Sequence, residues 1–377
     1  MLFVNQNSVQ FALLLSLAVL ATTGSMPAQS QESRYDDIWR FAQWYDNGDA
    51  PIVQTVLFSG RFQYEYASVE DGGDSHDEWN VRRMRLGVRT GLFQQLTVHL
   101  EAEFNPQERD PFYTRLTDTY LQWRWGPRLT TTVGKQGAPF TMDGSTSSKE
   151  LRTIDRSNLA NNMWFPQEYV PGVSFSGADS GWSYRAGVYT AGRRNREFGE
   201  FDGGFFTLAS LGYDLAGALG TDAALVRANY VYQSPDTDNT FTRQLQHVAS
   251  LNFLLEAGRW GLETDASAAA GYMGQSNLWG AMLTPFLNVT SGLQLVSRVT
   301  YLDGDAPNSV RLARYENRLT GDRGDQYREL YLGANYYFYH HKLKLQSGLQ
   351  LGDMNDRADD GGSYSGVAFT SGLRVSW

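Results

Sequence analysis

The 377-residue chain contains no cysteine, so no disulfide can brace it and no thiolate can hold a metal. Beyond its first 25 residues it also lacks any apolar run of the 18 or so residues that a spanning helix needs. Basic residues are in the minority, 32 Lys and Arg against 41 Asp and Glu, and a net charge of −9 argues against a nucleic-acid partner. Histidine is scarce, with 5 residues, and there is no G-x-S-x-G, H-E-x-x-H or phosphate-binding loop, so no enzyme and no cofactor are expected.

What the chain does have is 38 glycines, 21 tyrosines and 20 phenylalanines at a mean hydropathy of −0.42. Such a mixture suits short strands, tight turns and aromatic girdles. The pattern is sharpest at the carboxyl terminus, Tyr364 to Trp377. Val367, Phe369, Leu373, Val375 and Trp377 share one face there, and Ala368, Thr370, Gly372, Arg374 and Ser376 share the other. Period-2 alternation over about ten residues is the mark of a strand between lipid and a wet lumen, and strands cross a bilayer only as a closed barrel.

The alternation begins at Val53 and hardly stops. Val53 to Tyr66, Trp79 to Leu92, Leu96 to Phe104, Arg115 to Trp125 and Leu129 to Gln136 read as the first five strands, and eleven more follow from Tyr169 to Trp377, sixteen in all. The segment SVEDGGDSHDE between the first two reads as a polar loop. Alternate connections are short (GLFQQ, WGPR, ADSG, EAGR, TSG, YHHK) and the others mostly long and polar, an asymmetry typical of outer-membrane barrels. The expected fold is therefore an all-β, antiparallel transmembrane barrel over 53–377. Phe11 to Ala21 has the length of a signal-peptide core, so 1–30 reads as a signal peptide cleaved after Ala28 or Ser30, although its first ten residues carry no Lys or Arg. Residues 31–52 read as a periplasmic segment in which Tyr35 to Tyr45 forms either a short amphipathic helix or an irregular aromatic plug.

Several longer stretches resemble the phosphate-selective porin O and P family. They are VRRMRLGVRTGLF (Val81 to Phe93), RLTDTYLQW (Arg115 to Trp123), TVGKQGAPFTMDGSTSSKELRTIDRSN (Thr132 to Asn158), WSYRAGVYTAG (Trp182 to Gly192), LQLVSRVTYLD (Leu293 to Asp303) and the final strand. The resemblance covers roughly Trp44 to Trp377. It implies a homotrimer of sixteen-stranded barrels in the outer membrane, each with its third external loop, here Gly137 to Glu168, folded inward as a constriction, and a preference for anions.

Rings or ladders of Arg and Lys favour anion passage, because the guanidinium fork matches two phosphate oxygens at once. The strand phase places Arg61, Arg83, Arg85, Arg89, Arg124, Arg185, Arg227, Arg298, Lys344 and Arg374 towards the lumen. The densest group is Arg83, Arg85 and Arg89 beside Arg61. Opposed to a free ladder is a charge-cancelling network, for which Glu65, Glu101, Glu103, Asp118, Glu263, Asp265 and Glu329 are available. Lys149, Arg152 and Arg156 alternate with Glu150 and Asp155 in the 137–168 connection. Among metal candidates, His99 stands two residues from Glu101, His340 adjoins His341 in a turn, and Asp236 with Asp238 or Asp303 with Asp305 offers loop carboxylates for Ca²⁺. Solvated or lumen-satisfied side chains are the preferred account of all of these, and no metal is expected.

The expected function is passive diffusion of small hydrophilic solutes, leaning to anions including phosphate. The alternatives are a general porin of weak selectivity and a barrel with a blocked lumen serving as enzyme or adhesion scaffold.

Overall fold

The computed structural model describes residues 28–163, 169–191, 197–198, 204–239 and 242–377, with backbone alone for 28–33. The apolar segment Phe11 to Ala21 lies outside them. Seventeen strands follow in order. The first seven are β1 (Gln43–Asp46), β2 (Val53–Asp71), β3 (Asp74–Leu92), β4 (Leu96–Phe104), β5 (Tyr113–Gly126), β6 (Leu129–Gly137) and β7 (Tyr169–Asp179). Next come β8 (Trp182–Thr190), β9 (Phe205–Asp214), β10 (Ala223–Gln233), β11 (Leu245–Ala257) and β12 (Trp260–Gly271). The last are β13 (Leu278–Asn288), β14 (Leu293–Gly304), β15 (Gln326–Tyr339), β16 (Leu343–Asn355) and β17 (Tyr364–Ser376). From β2 onward each strand pairs antiparallel with the next, and β17 pairs with β2, so sixteen strands form a closed all-β barrel with no free edge.

The period-2 pattern determines which side chains meet lipid. In β13 the residues Trp279, Ala281, Leu283 and Pro285 are exposed, while Leu278, Gly280, Met282, Thr284 and Phe286 are buried inside. Leu100, Leu121, Val188, Leu211, Leu251, Val299 and Leu332 are likewise exposed. In water such a belt would be a large aggregation-prone patch, and in hydrocarbon it is the solvated surface. Aromatic rings flank it at the short-turn end, where Trp182 packs on Tyr213, and at the long-loop end, where Trp79 stacks on Tyr64 and Trp279 packs on Tyr301.

The segment read as the loop SVEDGGDSHDE is mostly strand. β2 and β3 each run for 19 residues and turn at Gly72 and Gly73, whose φ angles of 59° and 123° favour glycine. Beyond the hydrocarbon both faces of a hairpin are wet, so it loses its apolar alternation while keeping its hydrogen bonds.

The amino-terminal segment combines elements that sequence reasoning treated as alternatives. A helix, α1 (Ala28–Trp39), leads through a 3-10 turn into β1. β1 pairs with Thr55, Val56 and Leu57 of β2, continuing the wall where β17 has ended. The Trp39 indole donates to the Ser376 carbonyl at 2.7 Å, and Phe41, Trp44 and Trp377 pack on Phe58. Gly60 is required at this seam: a Cβ there would lie 2.5 Å from the Trp377 ring.

Candidate functional site: the barrel interior

The connection after β6 lies across the inside of the barrel. It contains two short helices, α2 (Met142–Ser145), capped by the Thr141 hydroxyl, and α3 (Asn158–Met163). The Met142 N–H donates to Asp265 on β12, and the Ser148 hydroxyl accepts from Arg61 on β2 at 2.6 Å. Further along, the Leu151 carbonyl accepts from Lys344 at 2.8 Å, and the Arg152 carbonyl accepts from Asn335 at 2.7 Å. The Ile154 carbonyl then accepts from Arg374, and that of Asp155 from Arg298 at 2.9 Å. Lumen-facing donors on four strands, β14 to β17, thus capture successive carbonyls of one backbone, and these bonds satisfy acceptors that are buried inside the wall. Phe140, Met142, Leu159 and Met163 join Val310, Leu312 and Tyr315 of the 305–325 loop in an apolar cluster inside the wall.

Along the arc from β14 through the seam to β4, the predicted lumen bases other than Arg89 are held by partners. Arg61 lies 3.7 Å from Glu101, and Arg83 donates to Gln63 at 3.0 Å. Arg85, fully buried, bonds Glu103 at 3.1 Å and the Tyr169 hydroxyl at 2.6 Å. Arg298 bonds Glu329 at 2.6 Å, and Arg374 bonds Glu65, which also accepts from the Tyr315 hydroxyl. The network reading describes this arc better than a row of free arginines does.

Sequence phase missed two arginines here. Arg82 and Arg115 both fall on the lipid side of a regular strand. In β3 a bulge pairs Gln63 with Arg83 but Tyr64 with Val81, turning Arg82 inward to Asp155 at 3.3 Å. In β5, Thr117 and Asp118 together face Glu101, and the shifted phase brings Arg115 to Glu103 at 2.8 Å. The only signal in the chain was a charged residue on an otherwise apolar phase.

The remaining predicted bases are placed differently. Arg124 sits at the short-turn rim and donates to the Gln94 carbonyl at 2.9 Å. Arg89 and Arg185 make no hydrogen bond or ion pair with the described residues. Arg227 only approaches the Ser145 hydroxyl at 3.4 Å. In the inserted loop, Arg152 bonds Glu263 at 2.8 Å and Glu256, and covers the Phe286 ring. Arg156 donates to the Asp143 and Thr146 carbonyls. Lys149 donates to the Trp377 carbonyl at 3.1 Å, and burial together with the nearby Arg61 charge pushes its ammonium down to about 8.

Of three cavities, two adjoin the inserted loop and one lies nearer the long-loop end. One of about 480 Å³ lies among Arg82, Arg83, Arg115, Arg314 and Arg318, against the carboxylates of Glu78, Glu103 and Glu108. Two others, of about 300 and 440 Å³, share Ser145 and Thr146 as a partition. Among the described residues no cluster of three or more His, Asp or Glu could hold a metal. His99 lies 3.3 Å from the Ser59 hydroxyl, Asp303 is bound by Arg357 at 2.8 Å, and Asp305 accepts from Asn277. Asp236 accepts from the Asp238 N–H, and His340 and His341 occupy the β15–β16 turn.

The sequence profile of the family "Phosphate-selective porin O and P" matches residues 56–284. No protein among those with curated functions matches the chain. Many solved structures share the fold. OmpF of Salmonella typhi, in complex with daunomycin, aligns with a TM-score of 0.64 at 11% identity over 89% of this chain and 100% of its own. The outer-membrane channel DcaP of Acinetobacter baumannii aligns with a TM-score of 0.56 at 13% identity, covering 86% of this chain and 97% of its own. OmpT of Vibrio cholerae in its trimer form reaches 0.53 at 15% identity, over 86% and 99%.

Proposed function

Since the chain belongs to the phosphate-selective porin O and P family, we propose that this outer-membrane porin favours small anions, phosphate among them, as its permeant solutes. The observation carrying the anion preference is the composition of the interior. Five arginines face three glutamates in the cavity at the long-loop mouth, and Arg89, Arg185 and Arg227 make no ion pair with a carboxylate among the described residues. Inside a low-dielectric tube a small excess of fixed positive charge is focused along the axis, raising local anion concentration and repelling cations. No covalent step is involved.

In this reading Gly137 to Glu168 is the constriction. The signal peptide of residues 1–30 is removed on export, outer-membrane lipid bathes the belt, and the channel works as a homotrimer like the trimer form of OmpT. Reversal potentials across planar bilayers under a chloride gradient, then a phosphate gradient, test the preference. A potential near the Nernst value for the anion is expected, and equal anion and cation permeability would overturn the proposal. The ion pairs Arg61–Glu101, Arg85–Glu103 and Arg298–Glu329 favour a second reading, a general porin of weak selectivity, which predicts that equality.

A further inference from the structure

Arg185 on β8 and Arg227 on β10 differ from the other inward arginines in what surrounds them. Arg185 stands opposite Ser176 on β7 and Ser210 on β9, and Arg227 opposite Gly212 and Asn252. Among the described residues, the charged group that acts appreciably on Arg227 is Arg185. Two like charges therefore stand on either side of the inserted loop, and although Asp118 lines the cavity of Arg185 and Glu150 and Glu263 line that of Arg227, neither arginine makes an ion pair with a described carboxylate. Such a pair costs free energy until an anion arrives.

Between them passes the partition of the two smaller cavities. Arg185 lines the 300 Å³ cavity, Arg227 lines the 440 Å³ one, and Ser145 and Thr146 line both. The first cavity is rich in hydroxyls, with Ser145, Thr146, Ser147, Ser148, Ser174 and Ser176 on its surface. Of these, the Ser176 hydroxyl makes no hydrogen bond with the described residues. Asp118 is the sole carboxylate among the described residues that line that cavity, which Arg61 also lines. Volumes of this size hold small metabolites.

We infer that Arg185 and Arg227, with the hydroxyls of Ser145, Thr146 and Ser176, form a binding station for a small polyhydroxylated anion, such as a sugar acid or sugar phosphate. The two guanidiniums supply the charge and bidentate donors. The hydroxyls of Ser145 and Thr146, whose protons go to the Met142 carbonyl, remain as acceptors, and that of Ser176 is both donor and acceptor; together they replace the water lost by a polyol and give a bare anion little extra. This inference rests on the anion preference proposed above and adds the place and the class of solute.

Gluconate and glucose 6-phosphate, with acetate and inorganic phosphate as their unhydroxylated counterparts, are titrated as blockers of chloride current through the full-length channel. Both polyols are expected to block at lower concentration than their counterparts. In Arg185→Ala/Arg227→Ala the half-blocking concentration should rise about 10-fold or more, as expected for losing charged hydrogen bonds, while Arg185→Lys/Arg227→Lys recovers part of it. Ser176→Ala should weaken gluconate block and leave acetate block unchanged. Heat-modifiable gel mobility verifies that each variant is a folded barrel. Polyols that block no better than their counterparts overturn the solute class, and unchanged block in the double alanine variant overturns the site. A wild-type channel without anion preference in its reversal potential instead overturns the reading on which both rest.

Discussion

Two arcs of one barrel wall carry inward arginines on the same strand phase, and they put them to different use. From β14 through the seam to β4, Arg298, Arg374, Arg61 and Arg85 each find a carboxylate, and several also hold a carbonyl of the inserted loop. On β8 and β10, Arg185 and Arg227 find hydroxyls and each other. Charge that is already neutralised and fully buried can fix a loop but offers little to a passing solute. Charge without a partner does the reverse. A tally of lumen-facing bases treats the two arcs as equal, and their surroundings show that they are not.

The largest effect is expected where a neutralised pair is broken. Arg298→Ala leaves Glu329 buried without its cation, which should cost about 3–5 kcal/mol. The midpoint of heat-modifiable gel mobility reports it, and a midpoint equal to wild type would erase the structural role given to this arc. Lys344→Met is the next in size. It strips the Leu151 carbonyl of one of its buried donors, a loss of about 1–3 kcal/mol in the hold on the loop, and single-channel conductance should rise. Unaltered conductance would mean that the loop is held without it.

Against these, Arg185→Ala should change stability by no more than about 0.5 kcal/mol while lowering the anion-to-cation permeability ratio. Arg85→Ala should cost stability and leave that ratio nearly unchanged. Were the two variants indistinguishable in both measurements, the contrast between the arcs would vanish.

The smallest effect concerns the 305–325 loop. Burial pushes the Glu316 carboxyl up to about 7, with Glu329 and Asp155 adding to the rise, Arg298 opposing it, and Gln350 donating a hydrogen bond to it. The folded loop thus binds this proton more tightly than the free chain, whose value is near 4.5. Its stabilising contribution is complete below that value and is lost as pH rises towards 7. Conductance fluctuations should therefore increase between pH 5 and pH 8 in wild type, and Glu316→Gln should flatten the change. A variant as pH-sensitive as wild type would assign the effect to another group.

Much of this architecture was legible along the chain. Sixteen strands, their lipid-facing Leu and Val, the short and long connections and the inward phase of Arg61, Arg85 and Arg298 all follow from period-2 alternation, because lipid on one side and water on the other sort side chains residue by residue. The exceptions occurred where that sorting is absent or shifted. Polar hairpin ends such as Ser68 to Glu78 lie beyond the hydrocarbon and read as loop. The bulges that turn in Arg82 and Arg115 insert one residue and invert the phase locally.

The sequence by itself determined that a barrel of this size must form in a membrane, since its apolar face has no other solvent. Only the tertiary structure decided which arginines are neutralised, because the carboxylates that bind them come from strands or loops distant in the chain. Glu329 lies 31 residues from Arg298 and Glu65 lies 309 residues from Arg374. Coulomb attraction depends on spatial distance, and ring closure with the inward passage of one loop is what sets it.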